Sequence, residues 1–181
     1  MQWPLMVLGA AAIGVLSWTQ LQGMALMFSL LLGMFMLAIA RSDITAFRIP
    51  DVLSLPAILL GLLGSGRLTS LGQPALIEPL HIVAAIAGAG TLWLVRIAYR
   101  SYRKRDGLGL GDVKLAAVAG AWTGLEGVSS VLLLACGLAI AGIIVLRVLH
   151  GPGAIEGTTA IPFGAALAPA IWIVWFVMAT G

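Results

Sequence analysis

The sequence predicts an all-α fold, a polytopic membrane bundle of about six to seven transmembrane segments, and three observations lead there. Of the 181 residues, 61% are hydrophobic and only 9% charged, against about 25% charged in ordinary soluble domains. Mean hydropathy is +1.09, which is more apolar surface than a water-soluble core of this size can hide. The first charged side chain is Arg41, and the stretch before it is long enough for two crossings at roughly 17–25 residues each. Lipid satisfies no backbone hydrogen bonds, so only helices or closed barrels can span it. The apolar runs here are too long for barrel strands and lack their alternation.

Seven segments follow in order. The first covers 3–18 and the second 23–40, with Ser17, Thr19, Gln20 and Gln22 marking the turn between them. No Lys or Arg occurs from Met1 to Leu8, which argues against a cleaved signal peptide. The third covers 52–66, opening after Pro50 with Asp51 at an N-cap position. A Gly-rich stretch over 62–72 reads as a loop on the outer side. The fourth covers 79–95. Residues 96–111 then form the most hydrophilic loop, whose basic run suits a surface of anionic lipid or recognition of a substrate leader. A short fifth segment, 113–125, is followed by 128–146. The last, 161–180, opens with Pro162 in its first turn. Gly120 and Gly124 have the small-xxx-small spacing of a close helix contact.

Cytoplasmic loops accumulate Lys and Arg, so the basic residues test this alternation. One side receives Arg41, Arg48, Arg96, Arg100, Arg103, Lys104, Arg105, Lys114 and Arg147, and the other only Arg67. The asymmetry puts the N-terminus inside and Gly181 outside. A net charge of +3 is too small to suggest nucleic acid. Cys136 is the only cysteine, which leaves no disulfide framework and no Cys-based zinc site. His81 and His150 fall on opposite faces, so they cannot be joint ligands, and each reads as an interfacial or packed histidine.

Ionisable groups near membrane depth are costly and therefore functional candidates. Of the seven acids, Glu78 and Glu126 fall in outer turns, while Asp106 and Glu156 fall in inner loops. Asp43, Asp51 and Asp112 remain, all near helix ends on the basic side. Asp43 follows the second segment, where pairing with Arg41 or Arg48 is an equally good reading. Asp51 fits a cap. Asp112 closes the run Gly107-Leu108-Gly109-Leu110-Gly111-Asp112, whose alternate glycines let backbone pack closely and bend sharply before a helix. A cap needs no such run, whereas a site admitting a peptide backbone does. Two carboxylates brought close together share a proton. The ionised one can then take a proton from water while the protonated one donates to a scissile carbonyl.

In this order, Asp43 with Ile49-Pro50-Asp51, Gly109-Leu110-Gly111-Asp112-Val113-Lys114, Gly120-Ala121-Trp122 and Pro162-Phe163-Gly164 resemble the type IV prepilin peptidase family, membrane aspartyl proteases with a Gly-x-Gly-Asp signature. The similarity covers about residues 37–177. It implies catalytic aspartates at Asp43 and Asp112 on the cytoplasmic face of a bacterial inner membrane, no cofactor and no metal. It also implies cleavage of the basic leader from a prepilin or pseudopilin helix. Gly109, Gly111, Lys114, Pro162, Phe163 and Gly164 would line the site, and Asp51 would stay outside the catalytic set. Large bifunctional members carry paired Cys-x-x-Cys motifs that go with N-methylation. Their absence here is similar to the short, peptidase-only branch serving Flp-type pili, with 1–181 as a single integral-membrane peptidase domain. A proton-coupled small membrane transporter using the same two acids is the alternative from another class. Oligomeric state has no signature in the sequence.

Overall fold

The structure, a computed structural model, describes residues 3–69, 78–104, 107–150 and 162–181. Asp106, Glu156, Arg105 and the side chains of Arg67 and His150 lie outside what is described. Every regular element is a helix among the described residues: α1 (Trp3–Gln20), α2 (Gly23–Ala46), α3 (Asp51–Thr69), α4 (Pro79–Arg103), α5 (Leu110–His150) and α6 (Phe163–Thr180). By length and composition α2, α4, α5 and α6 can cross a membrane. Val7, Leu8, Leu59, Ile86, Leu94 and Leu133 stand exposed on them and on their shorter neighbours, as lipid-facing side chains do.

Three helices overrun their expected ends. α2 continues to Ala46, α3 to Thr69 and α4 to Arg103, so much of the expected outer loop at 62–72 and of the inner loop at 96–111 is helical. Hydropathy falls at Arg41 and Arg96, but polar residues do not stop a helix. Thr45 Oγ1 instead bonds back to the Arg41 carbonyl at 2.8 Å. α2 stops where Phe47 turns left-handed (φ 50°) and its N–H caps the Asp43 carbonyl at 2.9 Å. Arg100 and Arg103 in the last turn of α4 suit the negative end of that helix.

α5 contains a reversal. Gly124 has φ 64° and ψ −174°, which no helix contains. A straight helix would separate residues 116 and 128 by about 18 Å at 1.5 Å per residue. Yet a Cβ placed on Gly88 of α4 would lie 2.5 Å from the Ala116 carbonyl oxygen and 3.6 Å from Val128 Cγ1. Both residues therefore sit at one level, and α5 folds back on itself at Gly124. This is the division expected between the fifth and sixth segments. The partner expected to share a close contact with Gly120 is thus the hinge itself. His81 packs at this reversal, its Nδ1 3.0 Å from the Ala121 carbonyl oxygen. A side chain at Gly124 has room, with His81 Nε2 3.5 Å from its Cβ position, so the cost of substitution is conformational. Gly124→Ala should lower stability by about 1–3 kcal/mol, read as an earlier unfolding transition in detergent.

Small residues hold the bundle together, as they do where lipid supplies no hydrophobic drive between helices. Ala57, Ala116, Ala119, Ala121, Ala168 and Ala170 are fully buried. Trp122 knots three helices to α5: its Nε1 donates to the Ala57 carbonyl at 2.8 Å, and its ring meets Phe28 and Trp175 edge-on at 6.0 and 5.7 Å. Two buried serines are also satisfied. The Ser17 and Ser29 hydroxyls bond at 2.7 Å, and Trp172 Nε1 donates to Ser29 Oγ at 3.2 Å, joining α1, α2 and α6.

Candidate active site

Three helix ends and one turn meet at the end of the bundle where α2 finishes and α5 and α6 begin. Asp43 lies in the last turn of α2 and is 6% exposed, while Asp112 lies in the first turn of α5 and is 7% exposed. They are the only buried charged side chains among the described residues.

An acid in the last turn of α2 faces the negative end of its own helix dipole. The tertiary fold offsets this. Asp43 Oδ2 accepts the Ala165 N–H at 2.8 Å, and the Gly164 N–H also bonds to this carboxylate. Both donors belong to the first turn of α6, where N–H groups have no intrahelical partner. Asp112 accepts the Gly109 N–H through Oδ2 at 3.1 Å, and its place at the start of α5 suits a negative charge. The two carboxyls act on each other electrostatically, so the fold brings together the pair that the sequence keeps apart.

The glycines around Asp112 serve close packing as well as the bend at Leu108. Among the described residues only Gly23 and Gly124 are glycines with positive φ, and Gly111 lies within α5. A Cβ on Gly107 would strike the Tyr99 ring at 2.3 Å, and one on Gly111 would lie 2.9 Å from Ile49 Cβ. One on Gly109 would stand 3.3 Å from Asp112 Oδ2. Gly164 is tighter, its Cβ position 2.9 Å from Asp43 Oδ2 and 2.8 Å from Ile49 Cδ1. Pro162 occupies the cap position of α6, one residue before the first turn expected for it. Phe163 is half-buried and packs against the core.

Lys114 does not serve Asp112. Its ammonium pairs with the carboxylate of Asp51, because positions two apart on a helix face different sides. Asp51 is the first residue of α3, and Pro50 takes the cap position, its carbonyl accepting the Leu53 and Ser54 N–H groups at 3.0 and 3.2 Å. The pair's side chains are 39% and 59% exposed, and such pairs contribute about 0–1 kcal/mol. Asp51→Asn should therefore shift the unfolding free energy by no more than about 1 kcal/mol, and a larger loss in a detergent melt would contradict that. Sequence reasoning missed the α6 N–H donors and the packing role of Ile49. Gly164 was the available signal, since a glycine beside Pro-Phe marks close approach. Among the described residues no three His, Cys, Asp or Glu side chains cluster to hold a metal ion.

Chemically, two buried carboxyls fastened by backbone donors can divide one proton between them and act together as base and acid. Comparison with known proteins finds relatives of one family. The sequence model of the type IV leader peptidase family matches residues 30–146. A prepilin leader peptidase/N-methyltransferase of Xanthomonas campestris pv. campestris is 34% identical over 82% of this chain and 49% of its own length. Those of Aeromonas hydrophila and Pseudomonas aeruginosa are 33% and 36% identical, over 95% and 80% of this chain and 57% and 47% of theirs. The chain thus spans about half the length of the curated relatives it matches. No solved structure matches.

Proposed function

Because this chain belongs to the type IV leader peptidase family, we infer that it is a membrane aspartyl endopeptidase that removes the leader from type IV prepilin-like precursors, of the Flp or pseudopilin kind. The observation that carries this reading is the burial of Asp43 and Asp112 at adjoining helix ends. One carboxylate takes a proton from the attacking water while its partner, protonated, donates to the carbonyl oxygen of the scissile bond. Collapse of the tetrahedral intermediate then breaks the C–N bond, and the proton gained from water passes to the leaving amine. The N-termini of α5 and α6 oppose the negative charge that the pair carries.

The basic residues favour the cytoplasmic face of the inner membrane for this chemistry. Arg41 and Arg48 flank Asp43, Lys114 follows Asp112, and Arg100, Arg103 and Lys104 end α4, the side that the charge rule puts inside. Methyl transfer, the second activity in the relatives' names, is left out of the assignment. In the resemblance it goes with paired cysteines, and Cys136 is the one cysteine here. The test is reconstitution in liposomes with a leader-bearing prepilin, followed by mass spectrometry. A product lacking its leader is expected. Intact substrate together with proton-coupled flux would overturn the assignment in favour of a transporter.

A further inference from the structure

The turn between α2 and α3 contributes a single buried side chain of the turn itself, Ile49, 9% exposed. It touches two different helices. The Cβ position of Gly111 on α5 is 2.9 Å from Ile49 Cβ and 3.1 Å from Cγ1, and that of Gly164 on α6 is 2.8 Å from Ile49 Cδ1. At Gly111 the atom met is Ile49 Cβ, which cannot swing aside, so only glycine permits that approach. Gly111 immediately precedes Asp112. Gly164 gives its N–H to Asp43. One isoleucine therefore lies between the helix end that bears one carboxyl and the helix end that holds the other. Its own turn is fastened on both sides: Ser42 Oγ donates to the Arg48 carbonyl at 2.7 Å, and the Pro50 carbonyl caps α3. A β-branched side chain is stiff about χ1, which suits it to hold a gap open to a fixed width.

We propose that Ile49 is a positioning residue whose width sets the spacing of the Asp43 and Asp112 carboxyls. The proposal rests on the peptidase reading above for its kinetic readout, but not for its geometric one. Ile49→Val keeps the Cβ and Cγ1 nearest Gly111 and loses the Cδ1 that meets Gly164 and also stands 3.2 Å from the Cβ position of Gly111. Ile49→Ala loses both Cγ branches. Ile49→Leu keeps the volume and loses the β-branch.

Purified variants in liposomes, assayed with prepilin per folded molecule, should show kcat falling several-fold for Ile49→Val and about tenfold or more for Ile49→Ala, since a misplacement near 1 Å can cost about a hundredfold. KM should stay within about twofold, the pattern of a contact made only in the transition state. Ile49→Leu should not restore kcat. A kcat within about twofold of wild type for both Val and Ala overturns the proposal, as does an equal fall in kcat and rise in KM. If Ile49→Ala fails to accumulate, Ile49→Val decides, because it deletes one methyl group. Independently of activity, Asp43→Cys and Asp112→Cys in a Cys136→Ser background should cross-link with a short bis-methanethiosulfonate, and Ile49→Ala should change the yield at least about twofold. An unchanged yield overturns the spacer role. A wild-type protein that cuts no prepilin overturns the peptidase reading alone.

Discussion

Asp43→Asn and Asp112→Asn should each leave prepilin uncut while the protein accumulates normally in membranes. Asparagine preserves shape and keeps a carbonyl oxygen that can accept the N–H of Ala165 or Gly109, so the anchoring bonds of α6 and α5 survive. What disappears is the capacity to give and take a proton at that position. General acid–base groups contribute about 10²–10⁴-fold each, and loss of either member should lower turnover by at least that range. The effects should not multiply. In the proposed mechanism the two carboxyls act as one unit, so the double variant should be about as slow as either single one. A mobility shift of prepilin on a gel, with the variant's own level measured in the same membranes, reads both outcomes. Wild-type processing by either variant would remove the aspartate pair from the mechanism.

Gly120→Ala should be the most damaging small substitution away from the site. Its Cβ would lie 2.1 Å from the Ala84 carbonyl oxygen, 2.3 Å from the carbonyl carbon and 2.4 Å from the Ala85 nitrogen. These are backbone atoms of a helix and cannot rotate aside, so α4 and α5 must separate. Gly88 repeats the contact in the other direction, 2.5 Å from the Ala116 carbonyl oxygen. Overpacking of this kind costs about 1–3 kcal/mol and sometimes more, and here it also pulls on the limb of α5 that carries Asp112. Thermal unfolding in detergent should show a clear drop for Gly120→Ala. Gly90→Ala on α4 and Gly137→Ala on the second limb of α5 meet nothing within 4 Å. Both should be neutral, or stabilising by up to about 1 kcal/mol through the higher helix propensity of alanine. Equal losses in all three variants would mean that α4 and α5 do not touch at Gly120.

Legibility in the sequence followed the locality of the cause. Apolar runs showed where helices lie, and the reversal at Gly124 came two residues before the expected break at 126–127 between the fifth and sixth segments. Helix ends were read less well, because Arg41 and Arg96 lower hydropathy without interrupting backbone hydrogen bonds. Asp43 was therefore expected beyond a helix that in fact contains it. The glycines before Asp112 were expected to pack closely and to bend the chain, which does bend at Leu108, and they make room for Tyr99, Ile49 and the carboxylate itself. Lys114 was expected beside Asp112, and its helix face delivers it to Asp51.

The sequence by itself determined the class of the molecule, a lipid-solvated helical bundle, and narrowed the chemistry to a few acids on its basic side. Those conclusions follow from transfer energies and charges that add residue by residue along the chain. Tertiary structure alone decided that the start of α6 supplies the donors for Asp43, that Ile49 fills the gap between Gly111 and Gly164, and that Lys114 belongs to Asp51. Each of these depends on which helix ends meet. That is settled by the packing of small residues such as Gly88 and Gly120 against distant backbone, a contact that no local property of the chain records.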